Sequence, residues 1–161
     1  MGASLERMLV PKAVCLHFAA SNSREVVSML SGLLQEEGFV SPTFVEAAME
    51  REMVMPTGLP LAGGINAAIP HTDVEHVLKP GVALATLLEP VIFQNMIAPE
   101  EGVPVRLVFL LALNQPKAQV EMLQQIASVL QNPEVVEGLI RAPDLETVRE
   151  LLSSEISLQE S

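Results

Sequence analysis

Short continuous runs of apolar residues alternate along the chain with longer segments of helical spacing. The short runs predict buried strands, because they are rich in β-branched and other apolar side chains and are bounded by turn formers. They are residues 13–18, 65–69, 82–88 and 105–113, with an edge strand at 91–94 after an interruption at Glu89-Pro90. The run VRLVFLLAL at 105–113 would be apolar on both faces, so it is predicted to lie at the centre of a sheet.

Five segments carry apolar residues at the spacing of amphipathic helices. They span about 24–37, 42–52, 117–131, 133–141 and 145–153, with Ser23, Ser41 and Asp144 as predicted N-caps. Residues 53–64 are turn-rich, 98–104 form a surface loop, and 154–161 are predicted to be a flexible tail. The alternation predicts an α/β fold, a single domain over residues 1–161 with its core at about 13–153 and a mixed β-sheet with helices on both faces.

The composition narrows the class of protein. The chain has 161 residues, of which 49% are hydrophobic, so one domain can build a sizeable core. Its formal net charge of −11 argues against binding nucleic acid or an anionic membrane, since both require clustered Lys and Arg. No apolar run is long enough to insert across a bilayer, no secretory signal is recognisable, and the single Cys15 cannot form an internal disulfide. A cytoplasmic location is therefore expected.

The candidate chemistry is concentrated in the stretch from Gly63 to Val77, GGINAAIPHTDVEHV. Pro70 ends the predicted strand, so His71 is expected at a strand end, where ligands bind in open α/β sheets. Three interpretations stay open from the residues alone. They are a polar loop, a metal site built from His71, His76 and the neighbouring carboxylates, and a histidine that acts as nucleophile or acid–base catalyst. His17, inside a predicted strand, is expected to be structural or simply exposed.

A longer stretch, PTGLPLAGGINAAIPHTDVEHV, resembles the active-site segment of the IIA components of the bacterial phosphoenolpyruvate-dependent sugar phosphotransferase system, fructose/mannitol type. The resemblance includes Glu50-Arg51-Glu52, the AIPH core, the VRLVFLLAL strand and the QNPEVVEGL region, and it covers Cys15 to about Leu152. The HTD-x-EHV and VIFQNM segments are most similar to the galactitol-specific branch.

The resemblance implies a phosphocarrier with the family's mixed sheet sandwiched by helices. His71 would accept a phosphoryl group from phospho-HPr and pass it to a cysteine of a cognate IIB component, for use by a membrane IIC permease. Gln119 stands where many relatives carry a second active-site histidine, and it is expected to support the phosphate together with Arg51 and Thr57. His76 is a candidate second titrating group. The resemblance implies neither a metal nor another cofactor.

Two further expectations concern partners and alternative functions. Leu59, Leu61, Ile65 and Val74 flank His71 in the sequence and are predicted to form an apolar docking surface for HPr. The alternatives are a nitrogen-type IIA paralogue that regulates through its phosphorylation state, a docking module that carries no phosphate, and a metal-dependent hydrolase.

Overall fold

Strands and helices alternate along residues 4–160, the part of the chain that this computed structural model describes, with side chains described as far as Ser153. The helices are α1 (Leu5–Met8), α2 (Ser23–Glu36), α3 (Thr43–Val54), α4 (Pro116–Leu130), α5 (Pro133–Arg141) and α6 (Leu145–Glu160), with a 3-10 turn at Val74–His76. The strands are β1 (Leu9–Phe18), β2 (Gly58–Leu59), β3 (Asn66–Ala68), β4 (Gly81–Gln94) and β5 (Gly102–Ala112).

The strands form one five-stranded sheet in the order β1-β4-β5-β3-β2. β1 is parallel to β4 and β3 is parallel to β5, whereas the pairs β4–β5 and β2–β3 are antiparallel. The sheet is therefore mixed, as predicted. β5 is the middle strand and residues 107–112 within it are buried, which confirms the central position predicted for the VRLVFLLAL run.

Side chains of β5 alternate between two hydrophobic cores, one on each face of the sheet. Val108 and Leu110 belong to the core that α2 and α3 cover. Leu107, Phe109 and Leu111 belong to the core that α4, α5 and α6 cover. The predicted coverage of both faces by helices is confirmed. Within residues 4–160, no helix combines the length and the apolar content that crossing a membrane requires.

β4 is continuous from Gly81 to Gln94, so the predicted interruption at Glu89-Pro90 is wrong. The pairing of β4 with β5 is irregular between Thr86 and Val91, and the side chains from Leu88 to Pro90 are exposed there. The missing N–H of Pro90 thus falls where the ladder is already disrupted, which lets the strand continue past the proline.

Other boundaries also differ from the predictions. β1 begins at Leu9 rather than at residue 13, because Pro11 and Lys12 are tolerated on this exposed edge strand. β5 begins at Gly102, and β2 lies inside the segment predicted to be turns. α6 continues to Glu160, beyond its predicted end at residue 153, and the side chains of the predicted flexible tail lie outside the described ones.

The sheet order places two loops side by side. β3 and β5 are parallel neighbours, so their carboxyl ends lie at the same edge of the sheet. β3 leads into His71 and β5 leads into α4. The loop that carries His71 and the first turns of α4 therefore meet at this edge, which is where open α/β sheets bind ligands.

Candidate phosphoryl-transfer site

His71 follows β3 by a short extended segment that is held to the end of β5. The carbonyl of Pro70 accepts the N–H of Leu111 at 3.0 Å, and His71 forms an isolated parallel bridge with the same leucine. Pro70 itself is buried, whereas His71 is half-buried. The predicted position of His71 at the end of a buried strand is confirmed, and the backbone on its N-terminal side is fixed by the sheet.

The imidazole ring of His71 is oriented by a bond to its own chain. Its Nδ1 lies 2.9 Å from the carbonyl oxygen of Ile69. Since a carbonyl oxygen accepts and cannot donate, Nδ1 must carry the hydrogen. In the neutral ring the free lone pair is then on Nε2. The bond therefore leaves Nε2 as the ring nitrogen that is free to act as a nucleophile, a choice that the sequence left open.

Two neighbouring open depressions surround this loop. One, of about 390 Å³, is lined by His71 and Thr57 together with Val54, Met55, Pro56, Met96 and Pro99. The other, of about 370 Å³, is lined by Gln119, Pro116, Val120 and Leu123 of α4 and by residues 72–74 of the His71 loop. Arg51 lines both depressions. A cation therefore lies between the space beside the histidine and the space beside the glutamine.

Among the described side chains, Arg51 has one weak partner, Asp73. One of its guanidinium Nη atoms lies 3.3 Å from an Oδ of Asp73, and the side chains are 30% and 67% exposed, respectively. An ion pair so exposed to water contributes little to stability. The guanidinium can therefore exchange the carboxylate of Asp73 for a more highly charged anion such as a phosphoryl group, which it can bind with two parallel hydrogen bonds.

Gln119 lies slightly deeper in its helix than predicted. α4 begins at Pro116, and the N–H of Gln119 donates to the carbonyl of Gln115 at 3.1 Å. The backbone N–H of Gln119 is therefore used inside the helix, which leaves the side-chain amide of this half-buried lining residue as its available donor. An amide can donate to a phosphate oxygen without changing its charge.

Thr57 lines the depression beside His71, but its polar groups are bonded to other residues. It is 2% exposed, its hydroxyl donates to an Oε of Glu52 at 2.7 Å, and its N–H donates to the other Oε at 2.8 Å. The same hydroxyl oxygen accepts the N–H of Ile69 at 3.2 Å. Its hydroxyl proton is thus already donated, so a contact between Thr57 and phosphate stays a prediction that these bonds do not favour.

His76 is directed toward the start of α3. Its Nδ1 lies 2.9 Å from the hydroxyl of Thr43, which also bonds the hydroxyl of Ser41, and its carbonyl accepts the N–H of Ser41. His76 lines neither of the two depressions. These contacts suit a residue that fixes the His71 loop, and a titrating role in transfer stays a prediction. Among the described side chains, no three His, Cys, Asp or Glu are grouped so that they could hold a metal ion.

His17 has a structural contact, as expected. Its Nε2 donates to the carbonyl of Ala142 at 3.0 Å, and its N–H donates to the hydroxyl of Thr86 at 2.9 Å. These bonds tie the end of β1 to β4 and to the α5–α6 connection, and they hold His17 at a φ of 57°. Such a φ is uncommon outside glycine, and the two bonds explain why it is tolerated here.

The apolar residues near the histidine differ in part from those predicted, since Val74 lines the depression beside Gln119. Leu61 and Ile65 line a separate groove against Pro133 and Val136, away from both depressions. Instead, Val54 and Met55 at the end of α3 are 78% and 56% exposed beside His71. The spacing of these two consecutive apolar residues places them off the buried face of α3, which is a sequence signal for an exposed apolar surface. The sequence-based prediction of the docking surface missed this signal.

Comparison with known proteins identifies the family. The sequence model of the family described as "Phosphoenolpyruvate-dependent sugar phosphotransferase system, EIIA 2" matches residues 7–155. The chain belongs to this EIIA family. The match spans every strand and all of α4 and α5, so it includes both depressions and the loop that carries His71.

Two relatives of the EIIA protein are similar in sequence. The galactitol-specific EIIA component of Escherichia coli (strain K12) is 31% identical over 120 residues, which cover 74% of this chain and 79% of that protein. The mannitol-specific EIICBA component of Pasteurella multocida is 31% identical over 150 residues. That match covers 91% of this chain and 23% of the relative, so the chain spans less than a quarter of the longer protein.

A solved structure has the same fold. It is the complex of enzyme IIA and phosphorylated enzyme IIB of the mannitol system from Escherichia coli. This EIIA protein is similar to it with a TM-score of 0.72 and 27% identity, over 91% of this chain and 97% of that chain. The α/β fold that the resemblance implied is therefore confirmed.

Proposed function

We propose that this EIIA protein is a phosphocarrier in which Nε2 of His71 takes a phosphoryl group from phospho-HPr and passes it to a cysteine of a IIB component. The observation that carries the proposal is the bond from Nδ1 of His71 to the carbonyl of Ile69. That bond leaves Nε2 as the nitrogen with a free lone pair, in a ring that lines an open depression. A protein partner that presents phosphohistidine can reach an open site of this kind.

Neither the transfer from HPr to His71 nor the transfer from His71 to IIB needs an external acid or base to supply or remove a proton. In the first, the Nε2 lone pair forms a bond to phosphorus while the N–P bond of the donor breaks, and the donor imidazole leaves neutral. Nδ1 keeps its hydrogen on the Ile69 carbonyl throughout. In the second, a cysteine thiolate of IIB forms an S–P bond and the Nε2–P bond breaks. Phosphoryl transfer of this kind depends mainly on positioning and on stabilisation of charge.

Arg51 and Gln119 are the groups that we assign to the phosphoryl oxygens. Arg51 lines both depressions and has Asp73 as its weak partner, so it can turn to the phosphoryl group when His71 is loaded. Gln119 adds a neutral donor from α4. One mobile cation and one amide stabilise phosphohistidine less than a closed anion site would, which suits an intermediate that must be passed on.

The comparisons support the class of partner and sugar. The similar mannitol IIA chain is in a complex with phosphorylated enzyme IIB, which supports IIB as the acceptor. Galactitol and mannitol, named in the two relatives, are both hexitols. We therefore assign the protein to hexitol uptake through a IIC permease, with galactitol favoured by the HTD-x-EHV segment at His71–Val77.

The test is phosphorylation in a purified system. HPr is loaded with enzyme I and phosphoenolpyruvate, enzyme I is removed, and the intact mass of this protein is followed with wild type, His71→Ala and His76→Ala. We expect one phosphoryl group on wild type and on His76→Ala and none on His71→Ala, with or without chelator, because the donor is already a phosphohistidine. Labelling of His71→Ala at the wild-type level would overturn the proposal.

A further inference from the structure

Glu52 is a carboxyl group on the core-facing side of a helix. It follows Phe44 and Ala48 at intervals of one helical turn on α3, and all three are buried. Glu52 itself is 8% exposed. Burying a carboxyl group is costly unless it is hydrogen-bonded, so its partners indicate why the position is not apolar.

The partners of Glu52 lead to the imidazole of His71. Both carboxyl oxygens are bonded by Thr57, one by its N–H and one by its hydroxyl. The Thr57 hydroxyl accepts the N–H of Ile69, and the Ile69 carbonyl accepts Nδ1–H of His71. The four residues form a continuous series of hydrogen bonds, which we call the support chain: Glu52, Thr57, Ile69 and His71.

The direction of each hydrogen in the support chain is set by Glu52. An ionised carboxylate can only accept, so the Thr57 hydroxyl must donate to it and keeps a lone pair free for the N–H of Ile69. With both its N–H and its carbonyl bonded, the backbone of Ile69 is fixed relative to α3. The carbonyl that receives Nδ1–H is therefore held at a set place behind the ring.

We propose that Glu52 is a positioning residue, which acts through Thr57 and Ile69 to hold His71 as the Nδ1–H tautomer with Nε2 free for the phosphoryl group. The positioning role rests on the function proposed above. Glu52 does not line the depression that contains His71. It therefore acts on the nucleophile from behind and not on the phosphoryl group.

The protonation state of Glu52 makes the support chain dependent on pH, which is a second property that can be measured. Burial raises the pKa of this carboxyl to about 7, against the lowering effect of the two bonds from Thr57. Glu52 also lines a cavity of about 130 Å³ with Arg24 of α2 and the uncharged Gln94 of β4. No ion pair joins Arg24 to Glu52 among the described side chains. The support chain thus changes protonation over the range from about pH 6 to pH 8.

Loss of the ionised carboxylate disturbs the hydroxyl of Thr57. A proton on the carboxyl oxygen nearest that hydroxyl would occupy the place of the hydroxyl hydrogen, which must then turn away. The N–H of Ile69 would lose a well-directed acceptor. The same loss is expected in Glu52→Gln, whose amide presents a donor to one of the two Thr57 donors.

The test compares Glu52→Gln and Thr57→Val with wild type, with Thr57→Ser as the conservative rescue variant. Glu50→Gln is the matched control, because Glu50 is exposed on the same helix. The first readout is the ¹⁵N spectrum of the His71 ring at pH 8.5 in unphosphorylated protein, with amide spectra to show that each variant is folded. The second is the rate of phosphorylation by phospho-HPr between pH 6 and pH 8.

We expect the Nδ1–H tautomer to dominate in wild type, Thr57→Ser and Glu50→Gln. In Glu52→Gln and Thr57→Val the two ring-nitrogen signals should move toward each other, as exchange between tautomers requires. At pH 8 Glu52→Gln should be phosphorylated about tenfold more slowly than wild type, the loss expected for one hydrogen bond. The ratio of the two rates should shrink toward pH 6, because Glu52 in wild type is then mostly protonated and resembles the amide.

Unchanged ring-nitrogen signals in folded Glu52→Gln and folded Thr57→Val would overturn the positioning role, and so would equal phosphorylation rates for Glu52→Gln and wild type at pH 8. If one of the two variants fails to fold, the other decides. The ring spectrum is recorded without a phosphoryl donor. Unchanged ring-nitrogen signals in the variants would therefore contradict the role of the support chain alone. A wild-type protein that takes no phosphate from phospho-HPr would instead overturn the proposed function.

Discussion

The front and the back of the His71 ring are built from different kinds of residue. In front lie an open depression, exposed apolar side chains such as Met55, and the loosely paired Arg51. The back of the ring, on its Nδ1 side, is held by Ile69, Thr57 and Glu52, which are buried and joined by hydrogen bonds of 2.7 to 3.2 Å. Thr57 also lines the depression in front. The front can rearrange around a partner, whereas the back holds one ring nitrogen in place.

Residues on the two sides of the ring should therefore affect different free energies, that of folding and that of phosphoryl transfer. Residues in front of the ring contribute little to folding, because they are exposed or weakly paired. The ionised carboxyl of Glu52 behind the ring lowers the stability of the folded state, because burial disfavours its charged form. Substitutions at the back should therefore change stability and the state of the ring together. Substitutions at the front should change transfer and leave stability almost unaltered.

The largest effect on stability that we expect is the pH dependence that Glu52 creates. The folded-state pKa is raised from 4.5 to about 7, so the folded protein binds more protons than the unfolded chain between these values. Stability contributed by the protonated form is present below about pH 4.5 and is lost as the pH rises toward 7. Relative to wild type, Glu52→Gln should gain about 2 kcal/mol between pH 5.5 and pH 8.

Urea denaturation of both proteins at pH 5.5 and pH 8 measures this gain, and Glu50→Gln should show none of it. Any constant cost of the amide at position 52 cancels, because the prediction concerns the change with pH. A free-energy difference between wild type and Glu52→Gln that stays the same at both pH values would show that the carboxyl has an ordinary pKa.

Arg51→Ala should cause the largest loss among substitutions in front of the ring. The guanidinium is the cation that lines both depressions, and charge-assisted bonds to a phosphoryl group are about twice as strong as neutral ones. We expect transfer from phospho-HPr to slow by about a hundredfold, with the melting temperature nearly unchanged. Single-turnover kinetics measure the rate. Asp73→Asn, which frees Arg51 from its partner, is the control and should not slow transfer.

Gln119→Ala should have a smaller effect, since the amide is neutral. Loss of one hydrogen bond to the phosphoryl group predicts transfer that is about tenfold slower. Gln119→His should keep activity and add a pH dependence between about pH 6 and pH 8, because imidazole titrates there. The measurement is the rate of transfer against pH for the three proteins. If Gln119→Ala matches wild type throughout, the residue takes no part in transfer.

Met55→Asp should have the smallest effect and should act on docking. Met55 is 56% exposed beside His71, and a charge there disturbs an apolar contact with HPr. We expect the apparent KM for phospho-HPr to rise by about fivefold, as for a residue outside the centre of an interface, while the rate at saturation is kept. Leu88→Asp is the control, because Leu88 is exposed but lines neither depression. A fall in the saturated rate would place Met55 in the chemistry instead.

Resemblance to the family identified polar residues around His71 better than the buried carboxyl or the exposed apolar side chains. The apolar runs identified the sheet and its central strand, because buried strands have a strong local signal. Motif resemblance pointed to His71, Arg51 and Gln119. Glu52 was overlooked as a site residue, although its spacing from Phe44 and Ala48 places it on the buried face of α3. Its bonds to Thr57 and the link onward to Ile69 depend on tertiary contacts, which no local pattern specifies.

The apolar residues beside His71 also depend on tertiary contacts, so they could not be predicted from a local pattern. Leu61 and Ile65 lie close to His71 in sequence, but the segment between β2 and β3 packs against the junction of α4 and α5. Met96, far away in sequence, comes beside His71 because its N–H donates to the carbonyl of Gly58 at 2.9 Å. Proximity along the chain is therefore a poor guide to what surrounds a strand end.

The most direct test of the account is to identify the ring nitrogen that carries the phosphoryl group. Wild-type protein labelled with ¹⁵N is loaded from phospho-HPr, and its histidine ring signals are recorded with and without phosphate. We predict that phosphorus is attached to Nε2 of His71, with the hydrogen retained on Nδ1. Phosphorus on Nδ1, or on either nitrogen of His17 or His76, would contradict it.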